Sequence, residues 1–259
     1  MNVRVRMSPG FLLGLALACA AAIDVTTAGS RQTAGAVQRA AAPAPPARHP
    51  VELPAAAVAQ LARSLEAAKA YRQHLWRDTV PVNADGTVNG YIEIPRGDRN
   101  KWEFDMAANR RALDRVIPAA IGGYPVNYGF VPQTVSYDGD PFDVLVLGPP
   151  LPGGQIVRGV AVGVLFMDDE KGLDSKIVIS PIDRRGRPLY ALTAGDQKEI
   201  GDYFARYKAG QPGKFSTVSG WGSRDEGLAY VTITHAFFRE CRGSTAAPCR
   251  VAARIKPGS

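Results

Sequence analysis

Short apolar runs separated by Gly, Pro, Asp and Asn dominate the chain from Tyr91 onward. Six of them have the length of β-strands: 91–95, 101–104, 126–131, 144–147, 157–166 and 176–179. Such closely spaced short runs are typical of an all-β barrel or sandwich. One helical pattern follows, from about residue 196 to 208, with Ile200, Phe204 and Tyr207 on one face. The pattern predicts a mainly β domain with one good internal helix.

The chain before residue 75 has a different pattern. Residues 55–72 place Val58, Leu61, Leu65 and Ala68 at helical spacing, which predicts a short amphipathic helix in an extension spanning 55–74. The preceding stretch, 23–54, is rich in Ala and Pro and reads as a linker that cannot bury enough surface to fold. We therefore expect a folded domain at 75–240, followed by a tail at 241–259.

The first 22 residues have the layout of a secretory signal peptide. Arg4 and Arg6 precede an apolar run at 11–23 that is too short to span a bilayer comfortably. Small residues allow cleavage after Ala18 or Ala22. The sequence predicts export, to the periplasm if the source is bacterial, with no transmembrane span.

A lipid anchor is the alternative fate of this N-terminus. Cys19 directly follows the first cleavage position, as in a lipoprotein acylation site. Ala16, however, stands where such sites usually have Leu. A mature chain without a lipid anchor is the preferred interpretation.

The net charge of +7 does not indicate nucleic-acid binding once it is divided by region. Residues 75–240 carry nineteen basic and twenty-one acidic side chains, so the basic excess lies in the two ends. Basic ends more often solubilise a protein, or contact anionic surfaces, than read a base sequence. We expect no nucleic-acid partner.

The two cysteines of the tail, Cys241 and Cys249, are predicted to form a disulfide because export places the chain in an oxidising compartment. Two free thiols would be preferred only if the signal peptide interpretation failed. The chain has three cysteines and three histidines, too few for a zinc site of ordinary spacing. Any bound metal is therefore expected to have oxygen ligands.

Acidic residues cluster at two strand ends. Asp138, Asp140 and Asp143 lie within six residues, joined by a Gly and a Pro that favour a tight turn. A second group follows the 157–166 run: Asp168, Asp169, Glu170 and Asp174. Each group alone could be an exposed acidic turn. Together with Glu93 and Glu103 on other strands, they predict a pocket for Mg²⁺, which binds one or two carboxylates plus waters and phosphate oxygens.

Cations and phenols are interleaved with these acids, as a polyanionic substrate would require. They are Lys101, Arg115, Tyr124, Tyr128, Lys176, Tyr207 and Lys208. Taken singly, each is more often a surface or packing residue. No Ser, Cys or His stands out as an activated nucleophile, and His74 and His235 are interpreted as bystanders.

Three segments resemble the family I soluble inorganic pyrophosphatases: 93–105, 124–130 and the Asp-Gly-Asp-Pro-Phe-Asp run at 138–143. The resemblance extends over residues 75–235. It implies a five-stranded OB-like barrel with flanking helices, pyrophosphate as substrate, and several Mg²⁺ ions, with Mn²⁺ as an alternative. It also implies self-association into a homo-oligomer.

The resemblance further implies a role for each matched residue. Asp140 would be the general base, acting with Lys101, Arg115 and Tyr128 in catalysis. Lys101, Arg115, Tyr124, Lys176, Tyr207 and Lys208 would bind the phosphates. The metal ligands would be Glu93, Glu103, Asp138, Asp143, Asp169 and Asp174.

Two other functions remain open from the sequence alone. A metal-dependent phosphatase or nuclease could use the same carboxylates on larger phosphate esters, although Tyr124 and Tyr128 suit a small closed pocket. A non-catalytic OB-type barrel could bind nucleic acid or glycan, although the acidic domain between 75 and 240 disfavours that.

Overall fold

The computed structural model describes residues 52–244 and 248–251. The predicted signal peptide, both cleavage positions, Cys19 and most of the 23–54 linker lie outside these residues. The described residues form four helices: α1 (Ala55–Ala68), α2 (Leu75–Asp78), α3 (Ala194–Arg206) and α4 (Arg224–Glu240). Their strands are β1 (Glu52–Leu53), β2 (Val88–Ile94), β3 (Asn100–Asp105), β4 (Arg110–Val116), β5 (Asn127–Phe130), β6 (Asp143–Val146), β7 (Ile156–Asp169), β8 (Gly172–Leu173), β9 (Lys176–Pro181), β10 (Ser216–Gly222) and β11 (Cys249–Arg250).

Five strands close into a ring in the order β7, β2, β5, β6, β9 and back to β7. Neighbours are antiparallel except β6 and β9, which are parallel. β10 pairs with β7 outside the ring, and the short β8 also pairs with β7. This confirms the predicted mainly β fold with a five-stranded barrel and flanking helices.

The two faces of the ring strands belong to different apolar clusters, because successive side chains of a strand point in opposite directions. In β6, Val144 and Val146 pack in the same cluster as Tyr230 of α4. Leu145, between them, packs in the cluster that contains Phe204 of α3. The ring is thus covered by α3 and α4 through opposite faces of its strands.

Helix α3 confirms the one internal helix predicted from the sequence, with Ile200 and Phe204 buried. Thr193 and Asp196 form a capping box at its start. The prediction that no other good helix follows is wrong, because α4 covers Arg224–Glu240. Its run of β-branched and aromatic residues hides the helical period, whereas the capping box of Ser223 and Glu226 marks its start.

The strand predicted at 101–104 exists as β3 but does not join the ring. It pairs with β4 in a separate two-stranded hairpin, in which Lys101 lies opposite Arg115. β4 was not predicted because its sequence, Arg-Arg-Ala-Leu-Asp-Arg-Val, has no apolar face, and most of its residues are exposed. The hairpin therefore carries charged side chains beside the ring.

The two ends of the described chain meet. β1 pairs with β11, with Leu53 opposite Cys249. A disulfide of 2.02 Å joins Cys249 to Cys241, which ends α4. Helix α1 follows β1 and buries Ala57, Val58, Leu61 and Ala68.

A third apolar cluster, here called the extension cluster, joins α1 and the disulfide to the barrel. Its buried members are Leu53, Ala57, Val58, Leu61, Trp76, Tyr91, Phe104, Phe130, Val135, Ile233, Ala236, Phe237, Phe238, Cys241, Cys249 and Val251. Trp76 contacts Phe238 edge to face, with 5.1 Å between ring centroids. Helix α1 is therefore held against the domain by apolar packing.

None of the helices described between residues 52 and 251 has the length and apolar content to cross a membrane.

Candidate active site

A cavity of about 600 Å³ lies where the ring, the β3–β4 hairpin, α1 and the segment after α3 meet. Every residue predicted to act in catalysis, bind phosphate or bind metal lines it, except Lys176. Asp168, of the second acidic group, does not line it either. Its carboxylates are Glu93, Glu103, Asp105, Asp114, Asp138, Asp140, Asp143, Asp169, Glu170 and Asp174. Its cations are Arg63, Lys101, Arg115, Lys171, Lys208 and Lys214. The fold thus brings together side chains from segments far apart in sequence into one acidic pocket.

The first wall is the turn between β5 and β6 that carries Asp138 and Asp140. The carboxylate of Asp138 accepts a hydrogen bond of 3.1 Å from the backbone N–H of Asp140. Gly139, between them, has a φ of +92°, a conformation that glycine adopts without steric cost. Phe142 is buried and anchors the turn, and its N–H donates to Thr134 Oγ1 at 2.8 Å.

Lys171 contacts both aspartates of this turn, yet the pKa of one is raised and that of the other is lowered. Its Nζ is 3.1 Å from Asp138 Oδ2 and 3.5 Å from Asp140 Oδ2. The pocket walls disfavour ionisation and, with the charge of Asp138, raise the pKa of Asp140 to about 7. The same desolvation acts on Asp138, but Lys171 and the hydrogen bond from Asp140 outweigh it and lower the pKa of Asp138.

Lys176 occupies the centre of the second wall, with only 1% of its side chain exposed. Its Nζ donates to Asp143 at 2.5 Å and to Asp174 at 2.8 Å. Burial, together with the charge of Asp143, raises the pKa of Asp174 to about 7 despite this contact. Burial alone would lower the pKa of Lys176, but the two carboxylates raise it. Lys176 therefore stays charged behind the carboxylates that face the cavity.

The loop between β7 and β8 forms the third wall, together with the segment after α3. Lys208 donates to Asp169 at 2.7 Å and to Glu170 at 2.8 Å. Lys214 donates to Glu170 at 2.7 Å. Desolvation opposes ionisation of Glu170, but hydrogen bonds from both lysines outweigh it and lower its pKa to about 2. Glu170 thus holds two cations at this wall.

The hairpin supplies the fourth wall. Lys101 donates to Glu103 and, at 3.3 Å, to Asp114, which also accepts from Arg115 at 2.7 Å. Glu93 of β2 is buried, and its carboxylate accepts from the N–H of Phe104 at 2.6 Å. Burial, with the nearby charge of Asp143, raises the pKa of Glu93 well above its ordinary value.

Phenols line the base of the cavity. The rings of Tyr124 and Tyr128 lie 5.3 Å apart, and Tyr207 contacts Phe204 edge to face. Burial raises the pKa of Tyr124 and Tyr128 well above 10, and that of Tyr207 to about 12. All three phenols therefore stay protonated at neutral pH and can donate hydrogen bonds to an anion.

The donor set fits a hard divalent cation. Ten carboxylates face six cations in the pocket, and negative charge stays in excess even when Lys176, which contacts Asp143 and Asp174, is counted as well. Among the residues described, no three His, Cys, Asp or Glu side chains converge into a metal cage. Mg²⁺ does not require one, because it keeps several waters and takes phosphate oxygens beside one or two carboxylates.

Several pocket residues were not singled out from the sequence. Asp114 and Lys171 lie beside residues that were predicted, and an acidic or basic neighbour of a predicted ligand is a usable signal. Lys214 lies six residues beyond Lys208, and Arg63 lies on α1. Their approach to the pocket depends on the tertiary fold, and no local pattern marks it.

Comparison with known proteins identifies relatives of the barrel and its pocket. Residues 90–239 match the profile of the family described as "Pyrophosphatase: Inorganic pyrophosphatase". The inorganic pyrophosphatase of Thermus thermophilus is 41% identical over 170 residues, covering 62% of this chain and 97% of the relative. That of Sulfolobus acidocaldarius is 38% identical over 151 residues, covering 56% of this chain and 87% of the relative.

Solved structures agree with the sequence comparisons. A crystal structure of the inorganic pyrophosphatase from Thermus thermophilus superposes with a TM-score of 0.59 at 38% identity, covering 64% of this chain and 99% of that chain. The corresponding protein of Coxiella burnetii gives a TM-score of 0.57 at 33% identity, covering 62% and 99%. The five-stranded ring with its helices is thus the OB-like fold of these proteins. Helix α1 precedes the matched residues 90–239.

Proposed function

Because this chain belongs to the inorganic pyrophosphatase family, we propose that it uses Mg²⁺ as its activating metal and Asp140 as its general base. The reaction of the family is the hydrolysis of pyrophosphate to two phosphates, and the family is metal-dependent. The observation that carries the proposal is the place of Asp140: its carboxylate lines the cavity among the proposed metal ligands Asp138 and Asp143. Burial and the charge of Asp138 also raise its pKa to about 7. A general base works best when its pKa lies near the working pH.

The carboxylates of the pocket are the proposed metal ligands. Asp138, Asp143 and Asp174 would hold activating ions, and Glu93, Glu103 and Asp169 would hold ions that accompany the substrate. Bound Mg²⁺ would neutralise phosphate oxygens and lower the pKa of a coordinated water.

The chain's own residues perform the remaining tasks. Asp140 accepts a proton from the attacking water, whose oxygen forms a new bond to one phosphorus. The bond from that phosphorus to the bridging oxygen breaks, and the second phosphate leaves with the electron pair. Lys101, Arg115 and Lys208 offset the charge of the leaving group, and the phenols donate hydrogen bonds to phosphate oxygens.

Phosphate release from pyrophosphate by the wild type and Asp140→Asn, with Mg²⁺ and with chelator, tests the proposal. We expect the wild type to require metal and Asp140→Asn to lose about 10²- to 10⁴-fold in kcat, the usual contribution of a positioned general base. Asp202→Asn is the matched control, because Asp202 lies on the exposed face of α3, paired with Lys198. It should keep kcat within about twofold.

Full activity in folded Asp140→Asn would refute the assignment of Asp140 as the general base. Phosphate release by the wild type without metal would refute the assignment of Mg²⁺ as the activating ion. The same assay with nucleotide substrates separates pyrophosphate hydrolysis from a broader phosphatase activity.

We also propose that the chain is exported. The support is the basic and apolar N-terminus and the pairing of Cys241 with Cys249, which suits an oxidising compartment. Fractionation of cells that produce the full chain, with N-terminal sequencing of the product, would locate the protein and identify the cleavage position.

Self-association is a further part of the proposal. Its support is the family resemblance together with exposed apolar side chains, among them Leu113 and Val116 on β4 and Phe215 before β10. Sedimentation of the purified chain would determine the number of copies.

A further inference from the structure

Helix α1 forms part of the pocket wall although it precedes the family-matched residues 90–239. Gln60, Arg63, Ser64 and Ala67 all line the cavity. An adjoining face of the helix packs into the extension cluster through Ala57, Val58 and Leu61. Buried apolar contacts therefore hold this wall in place independently of the exposed side chain of Arg63.

The helix touches the turn that carries the proposed base. A Cβ atom added to Gly139 would lie 2.7 Å from the Cβ of Gln60 and 3.1 Å from the Cα of Ala57. Real Cβ atoms almost never approach so closely, so the helix packs directly on the backbone between Asp138 and Asp140. The side chains one turn further along α1 are therefore carried to the edge of the reaction site.

Arg63 differs from the other cations of the pocket. Lys101, Arg115, Lys171, Lys208 and Lys214 each form an ion pair with a pocket carboxylate. Within residues 52–244 and 248–251, the guanidinium of Arg63 contacts only an uncharged acceptor, Gln60 Oε1, at 2.6 Å. Its charge is therefore available to an anion that enters the pocket.

We propose that Arg63 binds a phosphate group of the substrate at the outer wall of the pocket. The inference rests on the proposed pyrophosphate hydrolysis at this site and adds a binding residue supplied by α1. A guanidinium suits this task because its N–H groups match two phosphate oxygens at once. The hydrogen bond from Nη2 to Gln60 uses one N–H group and leaves the others for phosphate oxygens.

An exposed cation of this kind contributes to substrate binding and not to the chemical step. Uniform binding of ground state and transition state changes KM and leaves kcat unaltered. Because the side chain is exposed, its attraction to phosphate is weakened by water and by salt. We therefore expect a moderate effect, confined to KM and dependent on ionic strength.

The test compares Arg63→Ala, Arg63→Lys and Arg72→Ala in steady-state pyrophosphate hydrolysis. Arg63→Ala should raise KM about three- to tenfold with kcat within about twofold, and Arg63→Lys should restore part of the loss. Arg72 is exposed and does not line the cavity, so Arg72→Ala removes the same charge and should keep the wild-type KM. The difference in KM between Arg63→Ala and the wild type should decrease as sodium chloride is added, because salt screens the charge of Arg63.

The outcomes separate the two levels of inference. A wild type that fails to hydrolyse pyrophosphate would refute the proposed function itself. An active wild type with equal KM values for Arg63→Ala and Arg72→Ala would overturn the role of Arg63. Thermal unfolding of each variant checks that a changed KM reflects lost charge, because an exposed side chain should leave the melting temperature unaltered.

Discussion

Helix α1 contacts two regions of very different composition, the apolar extension cluster and the charged pocket. One face packs into the extension cluster, where Trp76, Phe237 and Leu61 are almost fully buried. The other lines a pocket of ten carboxylates and six cations. Apolar burial contributes roughly 25 cal/mol per Å², whereas desolvated like charges oppose folding. The apolar side should therefore stabilise the fold by burial alone, whereas the pocket side should be stable only while its carboxylates are paired with cations.

The comparison also explains why the pocket can hold so much charge. Its carboxylates are divided among lysines that lie behind or beside them: Lys176 with Asp143 and Asp174, Lys171 with Asp138 and Asp140, and Lys208 with Asp169 and Glu170. The surrounding apolar clusters supply the packing that keeps these groups in place. Mutations that disturb only one region should reveal how far the two are independent.

Lys176→Met tests the pocket most severely. It leaves Asp143 and Asp174 facing each other without the buried cation, which should lower the free energy of unfolding by about 3–5 kcal/mol. Urea unfolding in chelator measures this. Lys198→Met is the control, because Lys198 forms an exposed pair with Asp202 and should cost within about 0.5 kcal/mol.

Wild-type stability of Lys176→Met would show that the pocket tolerates the unpaired carboxylates. The two regions would then not differ as argued. Added Mg²⁺ should recover part of the loss, since a divalent cation can take the place of the missing positive charge.

Removal of the disulfide tests the other region. Cys241 and Cys249 are eight residues apart, and the chain-entropy estimate for a loop of that size is about 2.5 kcal/mol. The Cys241→Ser/Cys249→Ser double variant should lose stability of that order while kcat stays within about twofold, because neither cysteine touches the pocket. Urea unfolding and phosphate release measure the two effects.

Reduced wild type is the control for the serine side chains and should match the double variant. A rise in KM like that of Arg63→Ala would show that the β1–β11 pairing positions α1. A large fall in kcat would contradict the separation of the two regions.

The sequence pattern predicted the five strands of the ring and most of the pocket, whereas their closure into a barrel was predicted only from the family resemblance. Strands such as 144–147 and 176–179 are predicted by apolar runs between turn residues. The Asp-Gly-Asp-Pro-Phe-Asp segment is recognisable because its three carboxylates lie within six consecutive residues. The pocket lining includes all six predicted metal ligands, because five of them lie in ring strands or the segments between them and Glu103 lies on the hairpin beside the ring.

The sequence does not predict features that lack a local hydrophobic periodicity or that depend on contacts between distant segments. Helix α4 is disguised by Val231, Thr232 and Ile233, whose β-propensity is overridden by packing of Tyr230 and Phe237. The approach of Gln60 to Gly139 joins residues far apart in the chain and leaves no signal in either segment. The complete burial of Lys176 likewise depends on Asp143 reaching it from the neighbouring strand.

His74 gives the smallest expected effect and lies on the apolar side of the comparison. It is buried, its Nε2 donates to the carbonyl of Met106 at 3.0 Å, and its Nδ1 accepts from the N–H of Arg77. Burial lowers its pKa below the ordinary 6.5 and outweighs the hydrogen bond to Met106, which raises it; the charge of Arg77 adds to the lowering, and that of Asp78 opposes it. The ring is therefore held neutral at the start of α2.

Because His74 is buried in its neutral form, the free energy of unfolding should fall as the pH is lowered. The unfolded chain takes up a proton as the pH drops through about 6.5, and the folded chain does so only at lower pH, so the contribution is complete above 6.5 and is lost below it. His74→Asn keeps a helix N-cap and removes the titration. The stability difference between wild type and His74→Asn, from urea unfolding at pH 8, 7, 6 and 5, should be constant at the first two values and shift against the wild type at the last two. A constant difference throughout would mean that His74 is protonated equally in both states. Met106 also lines the pocket. A difference in KM for pyrophosphate between wild type and His74→Asn that appears only at pH 5 would show that this part of the apolar region is coupled to the site.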